Sequence, residues 1–103
     1  MISVHITYTV KPEFVAQNKQ NISTILADFK KMNDVSFFYN VYIKEDGVTF
    51  LHSSMYDNEE AQQKVLSTPS FIAFQEQRDA QGLVGEPLVE TLTLIGSSLS
   101  ILT

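Results

Sequence analysis

Residues 2–10 alternate between apolar and polar. Ile2, Val4, Ile6, Tyr8 and Val10 fall on one side and Ser3, His5, Thr7 and Thr9 on the other. This is the period-2 pattern of a half-buried strand. Pro12 suits the first turn of a helix, where its missing N–H costs nothing. From Glu13 to about Met32, the residues Phe14, Val15, Ile22, Ile25, Leu26, Phe29 and Met32 predict an amphipathic helix. Asn18 and Lys19 interrupt its apolar stripe, and Asn33–Asp34 ends it. A second strand is predicted over 36–44, with Phe37, Tyr39, Val41 and Ile43 opposite Phe38, Asn40, Tyr42 and Lys44. Glu45-Asp46-Gly47 then signals a hairpin, because Asp-Gly supplies the positive φ of a tight turn. In the third strand, over 48–56, Val48, Phe50, His52, Ser54 and Tyr56 lie opposite Thr49, Leu51, Ser53 and Met55.

Asp57 is expected to cap a short helix, with Glu60 completing a capping box. That helix must yield near Pro69, where Thr68-Pro69 opens another that runs to about Ala80. Gly82, Gly85 and Pro87 read as a loop, residues 88–95 as a fourth strand, and Leu99 to Thr103 as an apolar tail. The order strand, helix, strand, strand, helix, strand is the split βαβ unit of a ferredoxin-like α+β domain with an antiparallel four-stranded sheet. Residues 1–103 form one such domain. Its strands are apolar on both faces and helices cover only one. The other face calls for a partner, and a homodimer joined sheet to sheet is the simplest closure. The apolar tail would then serve as an arm across the interface.

Composition narrows the chemistry. The 103 residues contain no cysteine, which excludes disulfides, thiolate nucleophiles and cysteine-bound metals. A net charge of −5 with no basic stripe argues against nucleic acid. No apolar run is long enough for a bilayer and no leader pattern opens the chain, so no membrane partner is expected and the expected location is cytoplasmic. Two histidines without ligand-spaced carboxylates make a poor metal site.

The stretch Tyr56-Asp57-Asn58-Glu59-Glu60-Ala61, with Val65-Leu66-Ser67-Thr68-Pro69-Ser70-Phe71-Ile72-Ala73-Phe74, resembles the antibiotic biosynthesis monooxygenase superfamily. Val10-Lys11-Pro12 at the end of the first strand is similar too. The resemblance implies a dimeric α/β barrel. In its quinol-oxidising and aromatic-polyketide branches it implies oxidation by O₂ with no metal or flavin, hence no cofactor. It also exposes departures. Ser54 stands where many relatives carry Glu, and Val65 where they carry a helix His. The haem-degrading branch has Trp at the position of Val65 and a His ten residues on, where this chain has Gln75; it has no Trp at all. Haem degradation is therefore not expected.

Candidate catalytic residues are His52 and His5, because imidazole suits proton transfer near neutral pH. A strand histidine bonded within an interface would give the same pattern. Candidate pocket residues are Asn18, Ser54, Tyr56, Val65, Phe74, Gln75 and Arg78. Arg78, the single arginine, can bind an anionic oxygen or pair with a surface carboxylate. Tyr8, Phe37, Tyr39, Phe50 and Phe74 read as core. Two functions stay open: a cofactor-independent monooxygenase for a small aromatic or quinol-like substrate, and a non-catalytic dimeric barrel that binds a small hydrophobic ligand or serves a structural role.

Overall fold

The computed structural model describes residues 1–99. Strand β1 spans Ile2–Val10, a 3₁₀ turn Pro12–Phe14 and helix α1 Val15–Met32. Strands β2 (Phe37–Ile43) and β3 (Thr49–Tyr56) form the hairpin. Helices α2 (Glu59–Leu66) and α3 (Pro69–Gln77) follow, then a π-helical turn, Arg78–Gly82, and β4, Leu83–Leu92. The sheet is antiparallel in the order β2-β3-β1-β4, which is the ferredoxin-like arrangement. It is open rather than closed. No helix among the described residues is long and apolar enough to cross a membrane.

The apolar face of each strand meets the helices. Ile22, Ile25 and Phe29 of α1, Ala61 and Val65 of α2, and Phe71 and Phe74 of α3 pack over Val4, Tyr8, Val10, Phe50 and Tyr56. Local chemistry fixes the ends of several elements. Asn33 adopts the left-handed conformation (φ 47°) and stops α1. In the hairpin turn Gly47 has φ 75°, while the Asp46 carboxylate accepts from Val48 N, Thr49 N and Thr49 Oγ1. These bonds hold Asp46 ionised below the usual carboxylate range.

Three expectations need correction. The α2 cap is Asn58, whose Oδ1 accepts from Ala61 N at 2.9 Å; Asp57 lies one residue outside the helix. The last helix does not stay α-helical to Ala80, because from Arg78 it widens into the π turn. The fourth strand begins at Leu83 and ends at Leu92, so Gly85 and Pro87 lie inside it. An edge strand tolerates both: β4 slips its register against β1 between Thr7 and Thr9, and Gly85 takes φ 75° there. Of the apolar tail, Leu99 is described and half exposed, and residues 100–103 lie outside the described residues.

The side of the sheet away from the helices carries Phe38, Tyr42, Leu88 and Leu92, all exposed, beside His5, Ser53 and Met55. On the opposite side, Gly82 lies against the Phe14 ring so closely that a Cβ there would collide with it. Gly82→Ala must displace Phe14 from the core and is expected to cost about 1–3 kcal/mol. Urea unfolding should show a lower midpoint at unchanged slope, and an unchanged midpoint would mean the ring yields freely.

Candidate functional site

The hairpin register places His52 diagonally between two tyrosines. On β3, Phe50 pairs with Tyr8 of β1 and Ser54 pairs with Tyr39 of β2, and His52 stands between them on the same face. Diagonal neighbours on a sheet are within reach of aromatic side chains. Both contacts are made. Tyr8 Oη lies 2.7 Å from His52 Nε2, and Tyr39 Oη lies 2.7 Å from His52 Nδ1. Asn18, on the buried stripe of α1, donates from Nδ2 to Tyr8 Oη at 3.0 Å. The chain Asn18–Tyr8–His52–Tyr39 thus crosses three strands from one helix, packed among aromatic rings. The Phe74 ring stacks on His52 at 5.4 Å. The Arg78 guanidinium lies 4.8 Å from the Tyr8 ring centre and 5.3 Å from that of Phe74.

Donor counting gives this chain a direction. With Asn18 donating to Tyr8, the buried Tyr8 hydroxyl needs an acceptor for its own hydrogen, and His52 Nε2 is the acceptor in reach. His52 then carries its proton on Nδ1 and donates it to the Tyr39 oxygen. The Tyr39 hydrogen is left uncommitted. The opposite tautomer would leave the Tyr8 hydrogen buried with no partner, which costs about 1–3 kcal/mol. Asn18 Oδ1 is itself buried without a hydrogen-bond partner among the described residues; turning the amide over would leave two N–H donors in that position instead.

Burial sets the protonation states. His52 is pushed down to about 3, chiefly by burial and secondarily by the Arg78 charge. Burial pushes Tyr8 up to about 12 against the opposing influence of Asn18 and Arg78, and raises Tyr39 further. At neutral pH the chain is therefore phenol, neutral imidazole, phenol.

The other sequence candidates fall in different surroundings. His5 faces away from the helices and its Nε2 lies 3.1 Å from Ser53 Oγ, so the sheet separates it from His52. Ser54 is buried, and its hydroxyl donates to the Val4 carbonyl at 3.4 Å. Tyr56 is buried, with its hydroxyl raised by burial and lowered by Ser54. Val65 is fully buried core. Gln75 is half-buried on the flank of α3. Arg78 is buried and pairs with the exposed carboxylate of Asp79 at 3.0 Å. Among the described residues, no group of three or more acidic or histidine side chains is placed to hold a metal ion.

Tyr8 and Tyr39 are the members of the site that sequence reading assigned to the core. The signal that finds Tyr39 is the Asp46-Gly47 turn, which fixes the hairpin register and sets Tyr39 diagonal to His52; Tyr8 depends on the pairing of β1 with β3. A cavity of about 1020 Å³ runs along β2 and around its edge. Leu26, Phe29, Phe37, Tyr39 and Val41 wall its helix side. A second, of about 120 Å³, lies between α1 and α3 against Phe74, bounded by Asn21 and Gln77, which hydrogen-bond each other. His52 lines neither.

No protein-family profile matches the sequence, and no curated protein matches it. Solved structures do. A crystal structure of an antibiotic biosynthesis monooxygenase superposes with a TM-score of 0.78 at 13% identity, covering 93% of this chain and 100% of the other. The fold is that of the antibiotic biosynthesis monooxygenases. Rv0793 from Mycobacterium tuberculosis gives 0.80 at 13% identity, covering 95% and 98%. A mutant of SnoaB, a cofactor-independent oxygenase from Streptomyces nogalater, gives 0.71 at 13%, covering 94% and 95%.

The low pKa of His52 has a consequence for stability. The folded chain holds His52 neutral while the unfolded chain protonates it below about 6.5. The unfolded state therefore binds more protons as pH falls, and stability drops with it. From pH 6.5 towards 4.5, above the range of the carboxylates, unfolding free energy should fall by up to about 1.4 kcal/mol per pH unit. His52→Gln should flatten that slope in urea unfolding across the same window. A flat profile for the unaltered chain would mean that His52 takes up its proton without unfolding.

Proposed function

We propose that the chain is a monooxygenase-like enzyme that works without metal or flavin on a small aromatic, quinol-like substrate. The observation that carries this reading is the hydrogen-bonded chain Asn18–Tyr8–His52–Tyr39, set among aromatic rings on a fold shared with a cofactor-independent oxygenase. A quinol ionises to an electron-rich anion that reacts with O₂ directly. Converting a hydroquinone to a hydroxyquinone places one oxygen atom on the ring and releases the other in water. The substrate supplies all four electrons, so no external reductant is required. The protein contributes orientation, exclusion of water and hydrogen bonds to the charge that develops. His52 remains the proton-transfer residue in this scheme, acting through its two tyrosines, because both of its nitrogens are engaged and its burial disfavours the imidazolium form.

The same burial favours a second reading. His52 is enclosed by the rings of Tyr8, Tyr39 and Phe74 at centroid distances of 5.2–5.6 Å, and its direct surroundings hold neither cavity. Under that reading the protein binds a small hydrophobic ligand without turning it over. Oxygen-electrode assays with a panel of hydroquinones separate the two. The enzyme reading expects uptake of one O₂ per quinol above the spontaneous rate. His52→Ala and Tyr8→Phe should lower it about 10²- to 10⁴-fold, and His5→Ala should leave it intact. Uptake no faster than in buffer alone would leave the binding role standing.

We further propose that two copies pair through the sheet face that bears Phe38, Tyr42, Leu88 and Leu92. Four exposed apolar side chains on one face make the kind of patch that soluble chains cover. Sedimentation should give a dimer, and Tyr42→Lys with Leu88→Lys should return monomers of unchanged helicity. A monomeric unaltered chain at micromolar concentration would refute the pairing.

A further inference from the structure

We infer that the cavity along β2 is the ligand site and that the Tyr39 hydroxyl is the group that meets the ligand, donating to an aryl oxide or quinone-type oxygen. The inference takes the aromatic class of ligand from the reading above and adds the place, the contacting residue and the polarity of the contact.

Three observations converge on it. Tyr39 alone belongs both to the cavity wall and to the hydrogen-bonded chain, since Asn18, Tyr8 and His52 do not line the cavity. Donor counting leaves the Tyr39 O–H without an acceptor, and Tyr39 is the member of the chain that reaches the cavity, so the ligand it suits is an acceptor. The walls also suit a flat ring. Phe29 stands edge-on to Phe37 (81°, 5.6 Å) and to Tyr39 (60°, 5.1 Å), making an aromatic corner beside Leu26 and Val41.

The cavity lining carries one cationic side chain, Lys30, and two carboxylates, Asp34 and Asp57, so an aryl oxide is held there by the Tyr39 donor rather than by net charge. Lys30, in the last turn of α1, lines the cavity and has no carboxylate partner among the described residues. The Asp34 carboxylate near it is held by Lys64 at 2.5 Å and kept ionised well below its usual range. The cavity wraps the β2 edge, with Phe38, Tyr42 and Met55 on its outer side and the aromatic corner on its helix side, where the ring would sit. Tyr39 is thus the residue in contact with ligand. Asn18, Tyr8 and His52 act on the ligand only through Tyr39, holding its oxygen as an acceptor from His52 and so aiming its hydrogen elsewhere.

The test uses 4-nitrophenolate at mildly alkaline pH, whose visible band moves to shorter wavelength when its oxide accepts a hydrogen bond. The unaltered protein should bind it with such a shift. Tyr39→Phe should weaken binding roughly 10-fold, as for a charge-assisted hydrogen bond, and should abolish the band shift. Loss of general stability would not produce that second effect. Val41→Trp, which fills the aromatic corner beside Tyr39, should eliminate binding there while thermal unfolding stays cooperative. Leu26→Trp repeats the test from the helix side should the first variant fail to fold. Absence of binding by the unaltered chain, or binding and band shift that survive both Tyr39→Phe and cavity filling, overturns the inference. Binding that follows this pattern without any oxygen uptake from quinols sinks the oxygenase reading and leaves the site in place.

Discussion

The structure turns on the register of β3 between β1 and β2. Once Phe50 faces Tyr8 and Ser54 faces Tyr39, His52 has a phenol on each diagonal and both of its nitrogens are satisfied without water. A one-residue slip in either pairing would turn a tyrosine to the far face and leave a buried imidazole nitrogen bare. The polar chain and the fold therefore specify each other. The sheet brings the partners together, and the cost of leaving any one of them unpaired penalises other registers. The helices complete the arrangement: α1 delivers Asn18 from the position four residues before Ile22, and the π turn after α3 delivers Arg78 beneath two rings.

The departures from the expected family pattern make sense on this frame. Ser54 spends its hydroxyl on the Val4 carbonyl, and Val65 is fully buried in the core. Neither is left to meet a ligand. Polarity instead gathers two residues earlier on the same face of β3, at His52, and across the hairpin at Tyr39. The aromatic packing around His52 and Tyr39 is made by Phe50, Phe71 and Phe74, whose rings enclose Tyr8, Tyr39 and His52.

Much of this was legible from the residues. The alternation of β1, the stripe of α1 and the Asp46-Gly47 turn each state one local preference, and the fold satisfies all three. Elements whose signals compete were harder to read. Gly85 and Pro87 spell a loop by composition, yet β1 holds them in an edge strand by pairing on either side of the slip. Asp57 and Asn58 are both good caps, and only the packing of Ala61 and Val65 selects the second. Within the site, His52 and Asn18 stand out as polar residues in apolar rows. Tyr8 and Tyr39 do not, because a tyrosine on an apolar face looks like core until cross-strand register shows where its hydroxyl ends. The register could be counted from the turn for Tyr39. For Tyr8 it depends on β1 lying beside β3, a long-range choice that no local pattern encodes.

The two edges of the sheet are not alike. On β4, Pro87 lacks an N–H and the bulge at Gly85 bends the ladder, so that border is blunted against an added strand. On β2 the run Phe37–Ile43 has no proline, glycine or slip, and among the described residues no strand lies beside its outer backbone groups. Growth of the sheet is therefore polar: it is open at β2 and closed at β4. Any strand added to this sheet is confined to the β2 border, around which the cavity also wraps.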